Sequence, residues 1–528
     1  MNHNYYVTYL LNPFDTNKYI IIGCDETKKI SKLTLEDLSL IDSIIISHDI
    51  WRLIDLYRYN NIDLPKCLLE INQIEKYITG KPSSDFSNEK PWDTISILKN
   101  RCDTNNSDTV KDFKKIIWGG GFEKDETELF NLLSFVLVEI INYINEINVD
   151  KFSTYIEHEL PVANIIYKSQ YKGISFNESK INEFLDDLEY KYYSKLSELS
   201  DTYDFNGNIF NTEYLISYIK ENKIDHIEYL NEYGISKFID YLSDLDERIL
   251  KIRELRRLYV SKSILLKMIS SSTNIIHPIF DCIGTVTGRI IAIEPVIQHL
   301  KKEYRSILTA SDNNKLLYID YSSFEPRILA SLTEDKELNR IISNDDLYET
   351  ISKIYFLGKL DRAIAKLLFL QFSYGASVNT MAYFISKKSD IDMDTSISQI
   401  NNMIDSFKEI KLWKKTIVDR LKDNPIITAG HGILRNFQNK DINSYLVQRQ
   451  AVNHIVQASG ASLLKELIIE INEKFPMANI LLPMHDAILL EIPTQEYDNI
   501  AENISSTFIS VFQNSFPESK IEVEISQF

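Results

Sequence analysis

Four short stretches in the second half of the chain hold the residues best suited to chemistry. In KLLYIDYSSFEPRILASLTE, Lys315 to Glu334, the apolar run Leu316, Leu317, Tyr318 and Ile319 leads straight into Asp320. A carboxylate thus leaves the core at a strand end with its charge intact, as a metal ion would require. In ANILLPMHDAILLEIP two apolar runs are joined at Pro483-Met484-His485-Asp486, a hairpin with a second acid at its tip. DRAIAKLLFLQFSYGAS sets Arg362, Lys366, Leu370 and Tyr374 at steps of four along one helical stripe. Two cations one turn apart can neutralise a triphosphate, and an aromatic two turns on can bound a base. YLVQRQAVNHIVQASG sets Arg449, Asn453 and Gln457 at the same step. Amides both donate and accept, which suits the degenerate minor-groove edge of a duplex.

Each stretch alone also has a plainer reading. Ser322 and Glu325 have capping-box spacing with Pro326 at the edge of the first turn, so the first could be an ordinary strand-to-helix junction. An Arg-x3-Lys pair is often a solvated basic edge, a polar stripe often faces solvent, and two apolar runs around a polar turn make a plain hairpin.

The elements that must position these residues belong to a large chain. Its 528 residues, 44% hydrophobic, suffice for about two to four domains with their own cores. No uninterrupted apolar run approaches the roughly 20 residues a membrane helix requires, and the richest, LLSFVLVEII, contains Glu139. The N-terminus, MNHNYYVTYL, lacks the basic segment and apolar core of a secretory signal, so a cytosolic protein with no membrane association is expected. Cys24, Cys67, Cys102 and Cys282 are scattered without a CxxC pair and read as reduced structural thiols. The net charge of −18 argues against a phosphate-rich partner, but the window Lys251 to Arg305 has ten basic residues against four acidic ones (Glu254, Asp281, Glu294, Glu303), leaving −24 on the remainder. This is either a basic track for nucleic acid or a solvated charged helix.

Taken in order, the stretches resemble the motifs of family A DNA polymerases. Asp320, Tyr321, Ser322, Glu325 and Arg327 match D-Y-S-x-x-E-x-R; Arg362, Lys366, Tyr374 and Gly375 match R-x3-K-x7-Y-G; Arg449, Asn453 and Gln457 match R-x3-N-x3-Q; His485 and Asp486 match the start of H-D-E. GTVTGRIIAIEPVIQHL resembles the family's T-x-T-G-R segment through Thr285, Thr287, Gly288 and Arg289, with Gln298 following. The chain departs from the pattern at Leu370, where the family usually has an aromatic residue, and at Ala487, where it has glutamate. The resemblance, to a divergent member of viral or phage type, implies template-directed DNA synthesis with two Mg²⁺ ions held by Asp320 and Asp486. Lys366 would join them in catalysis. Arg362, Lys366, Leu370, Tyr374, Glu325 and Tyr321 would bind the nucleotide, with Glu325 excluding a ribose 2′-hydroxyl. Arg289, Gln298, Arg449, Asn453, Gln457 and His485 would contact primer-template DNA. A single-subunit RNA polymerase-like enzyme and an inactive primer-template binding protein are the alternatives. The partners implied are primer-template DNA and dNTPs, acting on a monomer; no thumb insertion announces a site for a processivity factor.

The implied fold is α+β, a right hand of thumb, palm and fingers behind an N-terminal α/β domain. Residues 1–150 alternate apolar strands (YYVTYLL, KYIIIGC, SIIIS) with helical patterns. Thumb 151–270, first palm part 271–335, fingers 336–440 and second palm part 441–528 follow. Family relatives carry a proofreading exonuclease domain before the thumb, and the resemblance implies a degenerate one here. Its Asp-x-Glu has no counterpart, its Asn-x3-Asp corresponds to Asp49 and Leu53, and its Tyr-x3-Asp to Phe122 and Glu126. No 3′–5′ exonuclease activity is therefore expected.

Overall fold

The computed structural model describes residues 4–15, 18–25, 27–81, 94–101, 107–117, 119–222, 235–243, 246–271 and 273–526; Cys102 and the polar loop 82–93 lie outside them. The described chain forms two compact bodies, one of residues 4–172, 279–291 and 317–526, the other of 173–278 and 292–316.

The first body begins with the strands β1 (Asn4–Leu11), β2 (Tyr19–Cys24), β3 (Ser31–Leu33), β4 (Ile44–Ser47) and β5 (Leu68–Glu70). They form one sheet in the order β3-β2-β1-β4-β5, with β1 antiparallel to β2 and parallel to β4. The three runs legible in the sequence are its centre, β2, β1 and β4. The edges β3 and β5 are three residues each, too short to show a period. Around the sheet lie α1 (Ile50–Tyr59), α2 (Ile71–Thr79), α3 (Glu126–Glu146) and α4 (Leu160–Lys172). Asp125 caps α3 by accepting from the Glu128 N–H at 2.9 Å. By length and composition α3 is apolar enough to cross a membrane. Its Leu129, Leu133, Val136, Leu137, Ile140 and Ile144 instead fill the same core as Tyr6, Ile22 and Ile46 of the sheet. Residues 151–172, expected with the thumb, belong to this first body.

The second body is built on α5 (Glu178–Tyr203) and α6 (Glu247–Ile269), which pack along each other. Leu199, Phe205, Leu215, Phe238, Ile249, Ile252 and Leu255 form its core. The basic window behaves differently from its charge count. Six of its ten cations are ion-paired: Lys251 with Glu198, Arg253 with Asp240, Lys262 with Glu189, Lys267 with Glu294, Arg289 with Glu325 and Lys301 with Glu303. Four of these partners, Glu198, Asp240, Glu189 and Glu325, lie outside the window and offset part of its charge, whereas Glu294 and Glu303 are already in its count.

The rest of the first body carries β6 (Asn314–Tyr321), α7 (Phe324–Thr333), α8 (Arg362–Ser373), α9 (Lys408–Asp423), α10 (Tyr445–Lys474), β7 (Asn479–Pro483), β8 (Ala487–Pro493) and β9 (Val523–Ser526). Its sheet runs β7-β8-β6-β9. β6 and β8 are apolar toward the core, with Leu317, Ile319, Ile488 and Leu490 fully buried.

A buried charge pair joins the two ends of this body. Tyr155–Glu159 forms one π-helical turn just before α4, and Glu159 accepts from Lys465 of α10 at 2.5 Å, with side chains 2% and 1% exposed. Removing one partner of such a pair leaves an unpaired buried charge and costs about 3–5 kcal/mol. Lys465→Met should therefore lower urea-unfolding stability by that order, and adding Glu159→Gln should restore most of it. A single variant as stable as the parent would show that the pair contributes nothing.

Candidate active site

Asp320 is the penultimate residue of β6, and Asp486 sits in the three-residue turn between β7 and β8, where the Met484 N–H donates to the Ala487 carbonyl at 2.8 Å. Because β8 is the hydrogen-bonded neighbour of β6, the two acids meet at one end of the sheet. The Tyr321 N–H donates to the Asp486 carbonyl at 3.2 Å. Burial raises the Asp486 carboxyl above its ordinary range, while the charges of His485, Arg289 and Lys366 pull it down. Adjacent strand residues face opposite ways, so Tyr321 points into the core: it is 3% exposed, stacks on Phe324 at 4.7 Å and donates its hydroxyl to the Phe508 carbonyl at 2.8 Å. It supports the strand and does not line a nucleotide pocket.

The capping box is not formed. The residue preceding α7 is Ser323, at φ 53, with no side-chain cap bond. Glu325 instead pairs with Arg289 at 2.6 Å, and burial is the main cause of its raised pKa, which Arg289 opposes. Arg289 is presented by a tight turn. The Gly288 N–H donates to the Thr285 carbonyl at 2.9 Å and the Arg289 N–H to the Thr285 hydroxyl at 3.1 Å, while Gly288 takes φ 76, a conformation open to glycine and strained for other residues. Arg289, Glu325, Gln457, His485 and Asp486 line one cleft with Phe324 and Val456. Five residues from four separate motifs thus converge.

Gln298 does not join them. It is 8% exposed, and its side-chain carbonyl accepts from the Ala292 N–H at 2.9 Å within the second body. Sequence reasoning gave Arg327 no task. It is buried, donating to the Ser322 carbonyl at 3.1 Å and to the Lys520 carbonyl, so it fastens the turn after Asp320 to the C-terminal segment. An arginine on the apolar face of a short helix was the available signal.

Along α8, Arg362 and Lys366 are exposed and Leu370 and Tyr374 are partly exposed, so the stripe is accessible. Asp361 caps the helix by accepting from the Ile364 N–H at 2.7 Å. Arg362 pairs with Asp346 at 2.8 Å, and both cations lie over the Tyr348 ring, at 5.4 and 5.8 Å. On α10, Asn453 and Gln457 are partly exposed, and the buried Asn453 side-chain carbonyl oxygen has no partner among the described residues. Arg449 turns toward α8, donating to the Tyr374 carbonyl at 3.0 Å.

In the N-terminal sheet the positions matched to exonuclease motifs are occupied differently. Leu53 is fully buried, Phe122 packs edge-on to Phe14 at 6.2 Å and Glu126 is exposed. At the sheet centre His48 stacks on Tyr9 at 4.9 Å, meets Phe113 edge-on at 5.6 Å and lies 3.0 Å from the Thr8 hydroxyl. The Tyr9 hydroxyl donates to the Asp49 carbonyl at 2.6 Å.

Fold and site together define an α+β protein whose two acids meet at one end of a four-stranded sheet. A family model, DNA polymerase family A, matches residues 185–526, and the chain belongs to that family. Among its relatives, the DNA polymerase I of Caldicellulosiruptor bescii is 24% identical over 507 residues, covering 89% of this chain and 56% of the relative. That of Lactococcus lactis subsp. cremoris is 24% identical over 388 residues, covering 68% and 44%. The chain thus spans about half the length of the curated relatives it matches. Its fold is shared by the POL domain of Pol1 from M. smegmatis, solved in complex with DNA primer-template and dNTP, with TM-score 0.71, 16% identity and coverage of 99% of this chain and 95% of that one.

Ala487, where the family has glutamate, is 0% exposed. A glutamate there would bring a carboxylate into a fully buried position, and taking that charge out of water costs on the order of several kcal/mol. Ala487→Glu is expected to lower the melting temperature clearly and to leave any extension rate unimproved. A variant that melts with the parent and extends primers faster would overturn this reading.

Proposed function

We propose that this protein is a DNA-directed DNA polymerase that transfers nucleotides from dNTPs to a primer 3′-hydroxyl without proofreading, working in the cytosol on primer-template DNA. The observation that carries it is the pairing of β8 with β6, which sets Asp486 beside Asp320 at the mouth of a cleft lined by Arg289, Glu325 and Gln457. The donor set fits Mg²⁺, which binds through one or two carboxylates, substrate phosphates and retained waters. Asp320 and Asp486 would hold two such ions, which when bound activate the 3′-hydroxyl and offset charge on the leaving pyrophosphate.

The chain's own residues do the rest. Lys366 and Arg362 give charge-assisted hydrogen bonds to the triphosphate, Arg362 exchanging Asp346 for phosphate oxygens. Tyr374 bounds the base with Leu370 beside it. The side-chain amide N–H groups of Asn453 and Gln457 donate to minor-groove edges, which offer acceptors at every base pair. Arg289 reaches the primer terminus from its pair with Glu325, which in turn stands at the sugar. The stack of Tyr9, His48 and Phe113 at the N-terminal sheet centre supports a domain that no longer cuts DNA.

Primer extension with dNTPs and Mg²⁺ should be abolished by Asp320→Ala and by Asp486→Ala, and full activity in either would sink the assignment. The Asp320→Ala protein should also leave a mismatched primer 3′-end intact, since that change spares any separate nuclease; continued mismatch removal would demand ligands elsewhere. A second expectation concerns the sugar. Glu325 makes no helix cap, so Glu325→Ala should admit ribonucleotides with at most about 1 kcal/mol of stability lost with its ion pair. Unchanged dNTP preference would assign Glu325 to Arg289 alone, and robust RNA synthesis by the parent would favour an RNA polymerase.

A further inference from the structure

The C-terminus of α8 is tied more fully than a helix end requires. The Ala376 N–H donates to the Gln371 carbonyl at 2.8 Å and the Gly375 N–H to the Phe372 carbonyl at 2.9 Å, with Gly375 at φ 75. This paired pattern is a common closure for helices that end in glycine, and it leaves the second lone pair of the Phe372 carbonyl and the carbonyls of Tyr374 and Gly375 able to accept. Three side chains from two other helices take them. Lys414 of α9 donates to the Phe372 carbonyl at 2.6 Å while lying 4.2 Å over the Phe372 ring. Arg449 of α10 donates to the Tyr374 carbonyl at 3.0 Å, and the Tyr445 hydroxyl, one turn earlier on α10, donates to the Gly375 carbonyl.

We propose that Lys414 and Tyr445, together with Arg449, are positioning residues that clasp the end of α8 and so set where Tyr374 stands in the insertion pocket. Two of the three are cations at the negative end of the helix dipole, where positive charge is stabilising. The fit is close, since a Cβ on Gly375 would meet the Arg449 Cγ at 3.2 Å. Burial, and then the Arg449 charge, push the Lys414 ammonium down to about 7. A lysine kept where its charge is so disfavoured, against a carbonyl and a ring, indicates a local requirement for a donor at that point. The three donors approach from two helices, so α8 cannot rotate about its axis without exchanging all of them. The stripe of Arg362, Lys366 and Tyr374 thereby acquires a fixed azimuth.

This role rests on the polymerase reading, because Tyr374 meets a nucleotide only there. Tyr445→Phe removes one oxygen from a ring that is 51% exposed and should fold as the parent does; Lys414→Met removes the buried donor. Both are compared with the parent in single-nucleotide incorporation and in amide hydrogen exchange of residues 374–377 in the full chain. We expect KM for the dNTP to rise about tenfold, kcat to change less than about threefold, and those amides to exchange about tenfold faster. Selectivity against mismatched dNTPs should fall in parallel. Unchanged exchange overturns the clasp, as does a loss confined to kcat with KM intact. A parent that extends no primer would defeat the polymerase reading by itself, and the exchange rates would still decide whether the clasp exists.

Discussion

Two carboxylates set side by side have to be held against their mutual repulsion and partly out of water, and this constraint organises the sheet β7-β8-β6-β9. Neither acid is placed by its own segment. Asp320 ends a strand and Asp486 occupies a hairpin tip, and only the pairing of β8 with β6, closed by the Tyr321 N–H on the Asp486 carbonyl, makes them neighbours. Everything around that bond keeps it in place. The Tyr321 ring is wedged among Phe324, Phe508 and Phe512, the Ser322 N–H donates to the Glu522 carbonyl at 2.9 Å, and Arg327 reaches the Lys520 carbonyl. The last strand, β9, pairs with β6 in register, Glu524 opposite Asp320. The C-terminal residues therefore act as a brace on the strand that carries the first acid.

The parts of this arrangement legible in the sequence are those written in local spacing. Steps of four on α8 and α10 gave accessible stripes, and an apolar run ending in an acid gave β6. What could not be read is what depends on which way a side chain turns or on partners far away in the chain. Tyr321 stands beside Asp320 in the motif, yet strand alternation sends it to the opposite face. Ser322 and Glu325 have the spacing of a capping box, but the left-handed turn at Ser323 starts the helix one residue later and frees Glu325 for Arg289, thirty-six residues away in the chain. Gln298 follows Arg289 at the expected distance and still ends inside its own loop. The basic window shows the same dependence: charge counted along the chain omits acids such as Glu198, Asp240 and Glu189 that folding brings alongside.

The N-terminal sheet is tied to the turn that presents Arg289. Along α2, Gln73 accepts from the Ile283 N–H at 3.0 Å, Lys76 pairs with Asp281, and the Tyr77 hydroxyl donates to the His431 carbonyl at 2.8 Å. The first two grip the chain just ahead of Thr285, where the turn that presents Arg289 begins. The third reaches the tight turn between two short strands, Ile426–Ala429 and Ile433–Asn436, whose Ile433 side chain lies against Gly288. One helix of the N-terminal domain thus supports the arginine turn from two sides. Loss of that domain would release Asp281 and Ile283 from their polar partners and let the turn move. Aromatic filling around His48 keeps the sheet packed, and a packed sheet keeps α2 in place.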